Sequence, residues 1–137
     1  MGLMCKSFLL GCVFLFCSSS QARGVKAIEI IESGRSREGD AVDVCRKFRL
    51  TVEQVRNFFS RAYPVEGYMF SHERYSSCYA SGTLKFDDGS SGKWDLSSSG
   101  VATFIFTRGD AVTLYYKNNN WHDPFACTYG LGDFGEC

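Results

Sequence analysis

The chain has 137 residues, seven cysteines, and fifteen acidic against fifteen basic side chains, so it is formally neutral. Neutrality leaves no basic stripe for nucleic acid and no electrostatic hold on an anionic membrane. The length suits one domain with one modest core.

Residues 1–22 read as a signal peptide. Lys6 supplies the positive charge, Phe8 to Cys17 the apolar core, and Ser20-Gln21-Ala22 the small residues of a cleavage site before Arg23. The apolar run is too short for a permanent span, so the expected product is periplasmic or secreted, with no integral membrane segment. A second route reads Leu9-Leu10-Gly11-Cys12 as a lipobox that would place a lipid on Cys12. That cut leaves almost no apolar core between Lys6 and Cys12.

Losing the leader removes Cys5, Cys12 and Cys17 and leaves Cys45, Cys78, Cys127 and Cys137. An even number in an oxidising compartment predicts two disulfides. Three connectivities are open. The preferred one joins Cys45 to Cys78, tying the helical region to the sheet, and Cys127 to Cys137, closing the tail. No pair has the close Cys-x-x-Cys spacing of a zinc site, so neither a metal nor another cofactor is expected.

Residues 23–39 are mixed and polar apart from Val25, Ala27, Ile28, Ile30 and Ile31. They predict a flexible segment with at most a short strand around Ile28. Residues 40–137 form the single expected domain. Its helix is announced by the capping box Thr51-Val52-Glu53-Gln54, flanked by the staple Leu50/Val55. Val52, Val55, Phe59 and Ala62 then recur at helical spacing, and Pro64 ends the run. Glu66 to Arg74 reads as a connector with room for a short edge strand.

A meander follows from Cys78 to Tyr116, in which β-branched and aromatic runs alternate with Gly/Asp/Ser punctuation. Cys78, Ala80, Gly82, Leu84 and Phe86 fall on one face of its first run. Trp94 with Leu96, Phe104 with Phe106, and Val112 with Leu114 and Tyr116 share faces in the later runs. The polar loop Lys117 to Pro124 and the glycine-rich tail Gly130 to Cys137 close the chain. The fold class is therefore α+β: one N-terminal helix packed on a four- to five-stranded antiparallel meander sheet, braced by two disulfides.

His72-Glu73, Cys78-Tyr79-Ala80-Ser81-Gly82, Asp88-Gly89, Gly92, Trp94, Leu96, Gly100 and Trp121-x-Asp123-Pro124-Phe125 together resemble a family of small exported bacterial proteins of uncharacterised function. The likeness covers roughly the last two thirds of the exported part. It implies a Gram-negative periplasmic setting and carries no activity. Members of that family often have cysteines after the last long strand, where this chain has Lys117 to Asn120, so no disulfide pairing is carried over.

Catalytic patterns are thin. His72 and His122 are the only histidines, there is no Gly-x-Ser-x-Gly elbow, and Ser97-Ser98-Ser99 is hairpin-turn chemistry. Asp87 to Ser91 lacks the further oxygen ligands of a calcium loop, and Arg108-Gly109-Asp110 reads as a turn. The aromatic load (Tyr68, Phe70, Tyr75, Tyr79 and Trp121 among others) exceeds what a small core buries. Such side chains either pack under the helix and tail or meet a protein partner. The expectation is a non-enzymatic binding protein, an inhibitor or immunity protein that blocks another exported protein. Its contact residues would be Tyr79, Asp88, Asn119, Trp121 and His122. The alternatives are a small envelope hydrolase using His72 with Glu73 or a serine, and a structural accessory protein of the envelope.

Overall fold

In the computed structural model, residues 23–129 are described. The expected signal peptide, the alternative lipidation of Cys12, and the tail with Cys137 lie outside the described residues. The fold is α+β. Strand β1 (Val25–Ser36) leads into the short helix α1 (Val42–Cys45) and the main helix α2 (Val52–Arg61). Strand β2 (Tyr63–Val65) and a single π-helical turn (Met69–Glu73) follow. The chain then runs through β3 (Cys78–Phe86), β4 (Ser91–Ser97), β5 (Val101–Phe106) and β6 (Ala111–Tyr115). All six strands make one sheet in the order β1-β3-β4-β5-β6-β2, and every neighbouring pair is antiparallel.

The meander β3–β6 has the expected faces. Trp94 stands opposite Gly82 on one side and Phe104 on the other, and Val112 stands opposite Phe104. These side chains therefore share the helix-facing side of the sheet. Helix α2 begins as its sequence dictates: Gln54 N–H donates to the Thr51 hydroxyl at 3.2 Å, and Thr51 N–H donates to the Gln54 side-chain oxygen at 2.9 Å. Val55, Phe58 and Phe59 are its buried face. The Phe59 ring meets Trp94 at 5.8 Å and Phe104 at 6.0 Å. Each such aromatic side chain removed from water contributes about 1.5–3 kcal/mol, before a smaller gain from edge-on ring geometry.

Four expectations are corrected. Residues 23–39 are not a flexible segment: β1 spans twelve residues and pairs along the whole of β3, from Val25 opposite Phe86 to Ser36 opposite Cys78. Ile28 and Ile30 face Leu84 and Gly82, and so add to the apolar side. The sheet consequently has six strands rather than four or five, and the helix is not N-terminal but inserted after the first strand. The connector forms a π-helical turn in place of an edge strand, with Arg74 N–H donating to Met69 O at 2.9 Å. The second edge is instead Tyr63–Val65, where Pro64 is tolerated because the strand is the last of the sheet among the described residues.

The Cys45–Cys78 disulfide is present and fully buried, fixing the end of α1 to the start of β3. The expected partner of Cys127 lies outside the described residues. Among the described residues no helix is long and apolar enough to cross a membrane.

Candidate protein-contact site

Among the described residues, the helices α1 and α2 cover one side of the sheet and leave the other largely open. On that open side β3 presents Tyr79 and β4 presents Asp95, each alternating with buried neighbours: Cys78 and Ala80, Trp94 and Leu96. Arg37, just beyond β1, lies across them. Its backbone N–H donates to Ser77 O at 2.8 Å, which fixes where the side chain starts. The guanidinium stacks on the Tyr79 ring at 4.4 Å and the Phe70 ring at 5.2 Å. Its two terminal nitrogens donate to the two Asp95 carboxylate oxygens, and one also reaches the Ser97 hydroxyl at 3.3 Å.

Tyr75 extends the cluster. Its ring lies 5.7 Å from Phe70, and its hydroxyl donates to the Glu38 carboxylate at 2.9 Å. Loss of hydration, helped by that carboxylate, raises the Tyr75 pKa above the ordinary phenol value. Phe70 is delivered by the π-helical turn, and Tyr68 just before that turn is 55% exposed. The Arg37–Asp95 pair is a third open to water, so screening keeps its own contribution to stability small. Its larger effect is to hold an arginine between two rings in one geometry, so that little side-chain entropy remains to be lost on contact.

The five sequence-expected contact residues do not converge. Tyr79 belongs to the cluster just described. Asp88 lies in the β3–β4 turn, at the other end of β4 and about 20 Å away by strand length. There it accepts the Ser90 backbone N–H at 2.9 Å and the Ser90 hydroxyl at 2.6 Å, which holds its carboxyl below the usual range. Asn119, Trp121 and His122 come together elsewhere, lining a cleft of about 610 Å³ with Ser98 and Ser99 on the helix side.

Within that cleft the side chains serve mainly to hold the fold. The Trp121 ring packs against Phe48 at 5.9 Å and Phe58 at 6.0 Å, while its indole N–H donates to Ser98 O at 2.9 Å. Asn119 donates to Tyr116 O. His122 is exposed. Next to it Asp123 accepts hydrogen bonds from Ser98 at 2.7 Å and Tyr129 at 2.6 Å, and the Ser98 hydroxyl also meets that of Ser76 at 2.6 Å. Burial, reinforced by Asp123, raises the Tyr129 pKa.

Neither histidine hydrogen-bonds to a serine or a carboxylate among the described residues, and His72 is exposed on the π-helical turn. A hydrolytic base must lie within reach of its nucleophile. The half-buried serine–carboxylate pair Ser98–Asp123 is closed by the Tyr129 hydroxyl, which makes it a clamp between the β4–β5 turn and the segment after β6.

Sequence reasoning missed Arg37, Asp95 and Glu38. The outward position of Asp95 is readable from the alternation Trp94-Asp95-Leu96. Arg37 is not readable, because its place depends on β1 running the full length of β3. Comparison with protein-family models, curated proteins and solved structures finds no match to this chain.

Proposed function

We propose that this chain is a small exported binding protein without catalysis, an inhibitor or immunity protein that blocks another exported protein in the periplasm. The setting follows the resemblance to small exported bacterial proteins, and the Cys45–Cys78 bridge suits such an oxidising compartment. The observation that carries the reading is the Arg37 side chain locked between Tyr79 and Phe70 on the uncovered sheet face, with Tyr75 41% exposed beside it. Tyrosine and arginine dominate the energetics of protein contacts, and rigid support beneath them lowers the entropy lost on binding. The contact set is therefore Arg37, Tyr75, Tyr79 and Asp95, and Trp121 belongs to the core.

The test is capture of a partner from envelope extract by tagged chain, compared with Arg37→Ala and Tyr79→Ala. Each variant should retain the thermal unfolding transition within a few degrees and lose at least about tenfold in partner recovery. Undiminished recovery by both folded variants would remove the face from consideration.

A further inference from the structure

A second feature lies on the helix side, away from the contact face. Between the C-terminal end of α2, strand β2 and strands β5–β6 the apolar layer is incompletely closed, leaving a groove of about 680 Å³. Its accessible floor is Val112 and Leu114, lying over the buried rings of Phe59, Phe104 and Phe106. The cause is geometric. Helix α2 is ten residues long and packs chiefly toward β1, reaching Phe104 of β5 through Phe59 but leaving the apolar side of β6 only partly covered. Val112 and Leu114 are only partly buried as a result.

The ends of the groove differ from its floor. Arg61, in the last turn of α2, donates to the Tyr116 hydroxyl at 3.2 Å and has no carboxylate partner among the described residues. Arg23 lies at the other end, stacked on Phe86 at 4.8 Å and bonded to Asp88 at 3.2 Å. The lining contains two arginines and no acidic residue. Volume, aromatic floor and a few polar groups at the rim are the attributes of a small-molecule site rather than of a packing defect.

We propose that this groove binds a single-chain anionic amphiphile, with its acyl chain along Val112 and Leu114 and its carboxylate at Arg61. Arg61 carries the head group because among the described residues its remaining donors meet no carboxylate, whereas Arg23 is already engaged by Asp88. An arginine fork donates two parallel hydrogen bonds to a carboxylate, which a neutral alcohol head cannot match.

Calorimetric titration of dodecanoate, below its micelle-forming concentration, into the full chain tests the proposal, with 1-dodecanol as the uncharged comparison. One saturating site is expected, about tenfold weaker for dodecanol and about tenfold weaker for dodecanoate in Arg61→Gln. Arg61 is exposed, so this variant keeps its fold. Leu114→Trp, which fills the groove, should abolish the heat of binding. No saturable binding, or equal binding by Arg61→Gln and of dodecanol, would overturn the proposal. The same titration is run on residues 23–137, the expected exported form, and no saturable binding to it would likewise overturn the proposal.

Discussion

Replacing Cys45 and Cys78 together by alanine is expected to remove about 3–4 kcal/mol of stability. The bridge closes a loop across a sequence separation of 33, and the chain-entropy relation assigns a loop of that size about 3.7 kcal/mol. For a domain of this length that corresponds to a fall in melting temperature of roughly 15 °C, measured by calorimetry or by urea unfolding. The effect should be large because both sulfurs are fully buried where three elements meet: the end of α1, the start of β3, and Ser36 of β1 opposite Cys78. Loosening that corner frees Arg37, whose backbone N–H donates to the carbonyl of Ser77, the residue before Cys78. A loss below about 1 kcal/mol would mean that sheet pairing alone fixes the corner.

Gly82→Ala is expected to be the most damaging small substitution, costing about 3 kcal/mol. Gly82 sits on the apolar side of β3 between Ile30 of β1 and Trp94 of β4. An added methyl would collide with the Glu29 carbonyl oxygen and lie 2.7 Å from the Trp94 ring. The indole is held by its N–H donating to Thr83 O at 3.0 Å, and the carbonyl belongs to the neighbouring strand. Neither can retreat cheaply, so β1 must move away, and overpacking in a closed layer costs about 1–3 kcal/mol before the lost strand pairing is added. Hydrogen exchange should show β1 amides losing protection ahead of those in β4 and β5. Uniform protection with unchanged stability would contradict the close approach of β1 to β3.

The two halves of the chain differ in how openly they declare their structure. Helix α2 is legible because its signals are local: Thr51, Gln54, Leu50 and Val55 lie within six residues, and each does what the capping motif requires. The meander is legible for the same reason, since Gly89, Gly100 and Gly109 all adopt the left-handed backbone that tight turns demand. Strand β1 is not, because its pairing with β3 slips register near Ile30, Glu32 and Arg35, which erases the two-residue alternation that identifies a strand. Gly34 and its serine and arginine neighbours carry turn chemistry, yet there they serve a bulged edge.

The contact site was partly legible for a related reason. Tyr79 could be placed outward from the strand that contains it, whereas its partners Arg37 and Phe70 arrive from β1 and the π-helical turn, both unread. Trp121 misled in the opposite direction. Its neighbours Asn118, Asn119, Asn120 and His122 are polar, but the loop folds back so that the indole closes the core over Phe48 and Phe58. No local pattern distinguishes an aromatic that returns to the core from one that meets a partner.

The most direct test of the account is photocrosslinking in cells from two positions on opposite sides of the molecule. A photoreactive residue at Tyr75 lies beside Arg37 and Tyr79 on the open sheet face; one at Val52 lies on the exposed start of α2. A discrete adduct from Tyr75, lost when Arg37→Ala is added, with none from Val52, is the predicted result. An adduct from Val52 with none from Tyr75 would contradict it.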